Sequence, residues 1–182
     1  MSVLSQFPRP SRKRMLGLAV LAGPVVVTGA LLPAYIADPE GVRALLGARL
    51  HGPDLALLSR TSPVILVHLA LGVVALVVGA ILMAGRKGAR LHRVLGWAWV
   101  LAVSIVAVTS LFIQTLNPGH FTLIHLLSGY VIIALPLAVS AARRHDAARH
   151  RRYMNGLFYG GFALNLVFVL LPGRFVWNLF MR

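Results

Sequence analysis

The chain has 182 residues, of which 58% are hydrophobic and 12% are charged; its net charge is +14 and it contains no cysteine. Soluble domains are about 45–50% apolar and about 25% charged, so this composition predicts a membrane protein. The absence of cysteine excludes disulfides, cysteine-ligated metals and covalently attached haem. The positive charges lie between apolar stretches, which favours anionic lipid over nucleic acid as their partner.

Five apolar stretches predict an all-α, polytopic membrane bundle with five transmembrane helices. A basic segment, residues 1–14, precedes the first stretch, residues 15–37, whose 23 residues exceed the core of a signal peptide and match a spanning helix. We interpret it as a retained helix, with a cleaved signal peptide as the alternative. Residues 38–61 form an outer loop. Its centre, Val42–Leu50, fits an interfacial amphipathic helix and an ordinary polar loop equally well.

A four-helix transmembrane core, residues 62–171, follows this loop. Its spans are predicted at Ser62–Ala84, Leu91–Thr115, Phe121–Ala142 and Tyr153–Leu171, separated by basic turns and by an Asn-Pro-Gly turn at residues 117–119. Residues 172–182 form a tail that is too short to span the membrane. Its aromatic residues predict anchoring at the interface.

The distribution of lysine and arginine predicts the orientation. The N-terminus and the turns after the second and fourth spans carry 13 of the basic residues, and the other connections and the tail carry 5. Because basic residues accumulate on the cytoplasmic side, we expect a cytoplasmic N-terminus and an extracytoplasmic C-terminus in a bacterial inner membrane. The basic side is also where anionic lipids are expected as partners.

Four histidines lie at the ends of the core spans. The topology puts His68 and His125 near the outer face and His92 and His150 near the inner face. Ionisable residues at membrane depth are candidates for a functional site, and paired imidazoles are axial ligands of haem iron. The arrangement therefore predicts one or two haem b groups, one for each pair.

Small and basic residues accompany these histidines. Glycine follows three of them at position i+4, on the same helix face, where it leaves room for a flat macrocycle or for a closely packed helix: Gly72, Gly96 and Gly129. Arg93 and Arg151 adjoin the inner pair and suit haem propionates, although a lipid-binding basic belt explains them as well. His51 and His145 are expected to be solvated loop residues.

The segment from His68 to Leu171 resembles known membrane proteins in two respects. Its signatures are His68-Leu-Ala-Leu-Gly72, His92-Arg-x-x-Gly-Trp97 and His150-Arg-Arg-x-Met154. They resemble a family of bacterial predicted membrane proteins, domain of unknown function 2306. In layout the segment is similar to the cytochrome b561-type di-haem proteins. This resemblance implies an outer haem between His68 and His125 and an inner haem between His92 and His150.

Three functions stay open on these observations. The first is a membrane oxidoreductase of the cytochrome b type, which passes electrons between a donor such as a quinone and an acceptor. The second is a haem-free accessory or assembly subunit of a respiratory complex, with other membrane subunits or a second copy as its partner. The third is a copper or zinc site formed by His68, His120 and His125. No acidic residue lies in a predicted span, which argues against proton-coupled transport.

Overall fold

The computed structural model describes residues 37–113 and 123–181, together with Gly29 and Pro33. Within these ranges the chain is helical, and its one β-type pairing is an isolated bridge between Leu50 and Met181. The first predicted span, except for those two residues and Ala37, and the turn that contains His120 lie outside the described residues. The helices are α1 (Pro39–Leu46), α2 (Leu55–Arg60), α3 (Pro63–Ala84), α4 (Arg90–Ser110), α5 (Leu123–Arg143), α6 (Ala147–Asn155), α7 (Leu164–Val169) and α8 (Phe175–Phe180), with a π-helical segment, Gly156–Ala163, between α6 and α7.

In the described residues, 3 helices are long and apolar enough to cross a membrane: α3, α4, and residues 125–143 of α5. At ~1.5 Å per residue, the 22 residues of α3 cover about the thickness of a hydrocarbon core. Many large apolar side chains of these three helices are exposed, as is expected of helices in contact with lipid. The helical bundle is therefore confirmed, whereas five spans remain a prediction.

The last core helix begins earlier than the sequence predicts. The predicted span starts at Tyr153, but α6 starts at Ala147 because the carboxylate of Asp146 accepts a hydrogen bond from the backbone N–H of Arg149 at 2.9 Å and caps the helix. This correction moves His150 from a turn onto a helix. Together with the π-helical segment and α7, α6 forms one uninterrupted helix from residue 147 to residue 169.

The third predicted span is also shorter than expected. It was predicted to continue to Thr115, whereas α4 ends at Ser110 and a turn follows at Leu111. The hydroxyls of Thr109 and Ser110 both donate to carbonyls of the preceding turn, which satisfies polar groups where the helix ends.

The four long helices of the core pack as successive antiparallel neighbours, and the π-helical segment also contacts α3. Trp99 of α4 is 1% exposed, and its indole N–H donates a hydrogen bond to the carbonyl of Ala75 on α3 at 2.9 Å. A Cβ atom at Gly79 would lie 2.6 Å from the ring of Phe158 and 2.7 Å from Nε1 of Trp99. Glycine at this position therefore lets three helices meet at the centre of the bundle.

The C-terminal tail is bonded to the loop that precedes the core. The backbone N–H of His51 donates to the carbonyl of Phe180 at 2.9 Å, and that of Asp54 donates to the carbonyl of Leu179 at 3.0 Å. The loop contains the short helices α1 and α2, and α1 begins at Pro39, earlier than the predicted Val42. The helix α8 has 6 residues, which agrees with a tail too short to span.

Candidate functional site

The bundle has two ends, and each end carries two of the four candidate histidines. We call the end with His68 and His125 the His68 end, and the end with His92 and His150 the His92 end. A hydrogen bond of 2.6 Å between the hydroxyls of Ser110 and Ser128 holds the end of α4 beside the start of α5, one turn from His125. The antiparallel order of the helices therefore gives the arrangement of histidines that the sequence predicts.

At the His68 end, Nδ1 of His68 lies 2.9 Å from the hydroxyl oxygen of Thr109 on α4. That hydroxyl lies 2.7 Å from the carbonyl oxygen of Ile105 and has a single proton, which it donates to a carbonyl. It therefore accepts a hydrogen bond from His68, so Nδ1 carries the proton of the neutral ring and Nε2 has the lone pair. In this tautomer the lone pair of Nε2 is available to bind a metal.

A cavity of about 190 Å³ adjoins His68. Its lining is mostly apolar, with one polar side chain from each of the four long helices: His68, Ser110, Ser128 and Asn165. Gly72 also lines it. Val73 and Leu166 also line the cavity and are exposed on the surface of the bundle, so the cavity opens toward the surroundings of the helices. His125 is 9% exposed but is not among the described residues that line this cavity.

At the His92 end, Nδ1 of His150 lies 3.0 Å from the carbonyl oxygen of Ala138 on α5. A carbonyl can only accept, so Nδ1 of His150 is the donor and the lone pair of the neutral ring is on Nε2. His92 is half-buried in the first turn of α4. Nδ1 of His92 is buried without a hydrogen-bond partner among the described residues.

The three glycines that follow histidines differ from the glycine in the core. A Cβ atom built at Gly72, Gly96 or Gly129 would meet no atom within 4 Å, whereas one at Gly79 would collide with two aromatic side chains. All three are half-buried on their helices. Close packing between helices therefore explains Gly79 and does not explain the other three.

The candidate arginines lie on the surface of the His92 end. Arg93 is exposed and donates to the carbonyl of Gly88 at 2.8 Å, and Arg151 is exposed on α6. The guanidinium carbon of Arg143 lies 5.7 Å from the ring centroid of Trp97, a cation–π contact that joins α5 to α4.

The structure also bears on the remaining histidines. His145 is exposed, as expected, but His51 is half-buried, and its Nε2 is enclosed without a partner among the described residues. His51 is therefore less exposed than expected, and its segment is bonded to the C-terminal tail. Within residues 37–113 and 123–181, no three metal-binding side chains of the His, Cys, Asp or Glu type lie together. His120, required for the copper or zinc hypothesis, lies outside those ranges.

Sequence reasoning missed the partners that orient the histidines. The predicted site contains neither the hydroxyl of Thr109, which binds His68, nor the carbonyl of Ala138, which binds His150. Thr109 could have been found by counting outward from the basic turn at residues 85–90, since antiparallel helices put His68 beside it. A backbone carbonyl such as that of Ala138 has no signal in the sequence.

Comparison with known proteins gives a family but no described function. The model of the predicted membrane protein family DUF2306 matches residues 65–180, well over half of the chain. No curated protein matches the chain, and no solved structure matches it. The matched residues contain the core bundle with all four candidate histidines. The chain therefore belongs to the predicted membrane protein family DUF2306.

Proposed function

We propose that this protein binds haem b and carries electrons within or across a membrane, with His68 and His125 as ligands at one end and His92 and His150 at the other. The observation that carries the proposal is the state of His68: its Nδ1 is anchored on Thr109, and its ring adjoins a cavity beside Gly72. The cytochrome b561-like layout is part of the same proposal.

The chemistry of the donors supports axial ligation at both ends. Ligating histidines usually donate the other ring N–H to a carbonyl, carboxylate or similar acceptor, which fixes the ring and raises its basicity. His68 does so to a hydroxyl and His150 to a carbonyl. Each end therefore has one histidine whose ring is anchored, which supports a separate haem site at each end.

The space beside the histidines supports the same proposal. Gly72, Gly96 and Gly129 each adjoin open space one helical turn from a histidine. The cavity at His68 opens beside the exposed residues Val73 and Leu166, so a bound group could extend beyond it toward the surroundings of the helices. Open space beside the anchored His68 supports a haem at this end, with His125 as the ligand that would have to approach from α5.

The chain would hold the group and set its environment. When bound, haem iron supplies a one-electron couple whose potential depends on its axial ligands, hydrogen bonding and burial. Here the bundle would orient two imidazoles and exclude water with an apolar lining. Arg93 and Arg151 would offer positive charge to the propionates at the His92 end. Because the one-electron couple is the chemistry that a haem between two histidines supplies, electron transfer is the function we favour, with a quinone as one candidate donor.

A haem-free accessory or assembly subunit is the second candidate. It is favoured by the apolar side chains exposed on α3, which include Val73, Val74 and Val77 and could contact another membrane subunit or a second copy as well as lipid. It is also favoured by the cavity of about 190 Å³, which is smaller than the roughly 300–1,000 Å³ usual for ligand sites.

A reduced-minus-oxidised spectrum separates the two candidates. The full chain, purified in mild detergent from haem-replete cells, should be red and show the α-band of a b-type cytochrome. His145→Gly serves as the control, because His145 is an exposed turn residue and is not one of the four proposed ligands. A colourless protein that also fails to bind added haemin would overturn the haem proposal and leave the accessory subunit.

A further inference from the structure

A second cleft lies at the His92 end, between the last turn of α5 and the first turns of α6. Its volume is about 330 Å³, within the range of sites for small molecules. Ser140 of α5 lines it, and so does Arg144, which directly follows that helix. Arg149 and Tyr153 line it from α6. None of the four candidate haem ligands is among its lining residues, although Arg149 directly precedes His150.

The turn between the two helices fixes the geometry of this cleft. The N–H of Asp146 donates to the carbonyl of Ala141 at 3.0 Å, and that of His145 donates to the carbonyl of Ala142 at 3.0 Å. With His145 at φ 58°, these two bonds form a Schellman motif at the end of α5. Asp146 then caps α6, so Arg144 and Arg149 are presented to one cleft by a rigid connection.

The charges in the cleft favour an anion. Nε of Arg149 lies 3.4 Å from the Asp146 carboxylate, whose two oxygens already have an ion pair and a backbone N–H as partners. In the part of the chain that the structure describes, Arg144 makes no ion pair. Two guanidinium groups against one carboxylate leave the cleft with a net positive charge.

The donors and the apolar wall identify the class of anion. Guanidinium groups bind phosphate oxygens through paired N–H donors, and the hydroxyls of Ser140 and Tyr153 offer further donors to a tetrahedral group. Leu137 and Ala141 line the side of the cleft that continues along the apolar helix α5. This combination suits a phosphate that is joined to an apolar group.

We propose that this cleft binds a phosphate group, carried by an anionic phospholipid headgroup or free in solution, with Arg144 as its principal ligand. The proposal does not depend on haem. It differs from a diffuse basic belt, in which all arginines of the His92 end would contribute alike through their charge.

The experiment measures binding by the purified full chain in two arms. Short-chain phosphatidylglycerol is titrated by native mass spectrometry, and inorganic phosphate is titrated by calorimetry; short-chain diacylglycerol is the uncharged comparison. Arg144→Gln should weaken binding by at least about tenfold, as expected for the loss of charge-assisted hydrogen bonds. Arg86→Gln is the matched control, because Arg86 is exposed at the same end and does not line the cleft.

Each outcome decides the proposal. Selective loss in Arg144→Gln supports it; binding in the lipid arm alone identifies the headgroup as the source, and binding in both arms shows that the phosphate group suffices. Arg144→Lys keeps the positive charge but loses the paired N–H donors of the guanidinium group. Partial recovery of binding in this variant would show that the loss in Arg144→Gln comes from recognition and not from misfolding. Equal losses in Arg144→Gln and Arg86→Gln, equal binding of diacylglycerol, or no binding in either arm would overturn it.

Discussion

Thr109 accepts a hydrogen bond from Nδ1 of His68 across the contact between α3 and α4, with 2.9 Å between the two atoms. The threonine hydroxyl is itself held by the carbonyl of Ile105 at 2.7 Å. The imidazole is thus fixed by a chain of two hydrogen bonds that ends on the backbone of the neighbouring helix. A flip of the ring that swaps the positions of Nδ1 and Nε2 would break the first of these bonds.

Replacing Thr109 should therefore weaken the haem site at the His68 end without removing a ligand. Thr109→Val keeps the volume but has no acceptor for Nδ1, and loss of such a partner lowers the affinity of a metal site by about 10–100-fold. Thr109→Ser keeps the hydroxyl and is the matched control. Haem content and redox titration of both variants are the measurement; a Thr109→Val protein identical to the wild type would show that the bond has no part in ligation.

The two histidines of a pair should act as one unit. We expect His68→Ala and His125→Ala each to remove the same haem, and the double variant to lose no more at that site, because each axial ligand depends on the other. His92→Ala should leave this haem in place. Haem per protein and the potentials of each variant test the pairing. If His68→Ala and His92→Ala deplete one common haem while His125→Ala has no effect, the pairing is wrong.

Gly79→Ala should destabilise the bundle. The added methyl would lie within 3 Å of both Phe158 and Trp99, so the helices must separate, at a cost of about 1–3 kcal/mol. Gly72→Ala, compared in the haem-free protein, is the matched control on the same helix, since its Cβ would enter open space. Thermal unfolding in detergent should show a lower Tm for Gly79→Ala alone; similar Tm values for the two variants would contradict the described packing.

His145→Gly should stabilise the protein. His145 has φ 58°, a left-handed conformation that costs a residue with a Cβ about 1 kcal/mol and costs glycine almost nothing. His145→Ala keeps the Cβ and should show no such gain. Unfolding midpoints of the two variants provide the comparison, and a gain as large for alanine as for glycine would mean that the imidazole, and not the backbone, is unfavourable there.

The membrane orientation can be tested with reporter fusions. A reporter fused after Lys87 should lie in the cytoplasm, because the turn between α3 and α4 is one of the basic connections. One fused after residue 182 should lie outside, since the tail is bonded to the loop at the opposite end of the bundle. Two reporters on the same side would mean that the four core helices do not all cross the membrane.

The sequence predicts the helices of the core because long apolar runs have few alternative structures in lipid. It placed the start of α3 within one residue, where Pro63 follows Ser62. It missed the start of α6, because the basic residues around His150 suggested a turn, whereas the cap at Asp146 extends the helix through them. Charge alone does not end a helix at a membrane surface.

The candidate site was predictable in outline but not in detail. Alternating helix direction brings His68 and His125 to one end and His92 and His150 to the other, and that follows from counting spans. The tautomers of His68 and His150 depend on Thr109 and on a carbonyl of Ala138, which only the register between helices determines. The π-helical segment, Gly156–Ala163, also had no signal beyond its glycines, since such segments arise from packing on neighbouring helices.

The bonds between the tail and the outer loop join residues that are far apart in the sequence, and this separation bears on the order of folding. The backbone N–H groups of His51 and Asp54 are satisfied by the carbonyls of Phe180 and Leu179, which follow them only after the whole four-helix core. These donors must stay hydrated until residues 179 and 180 have been synthesised and lie beside the loop. The helices α3 and α4 are joined by a short turn and can pack together before that long-range contact forms.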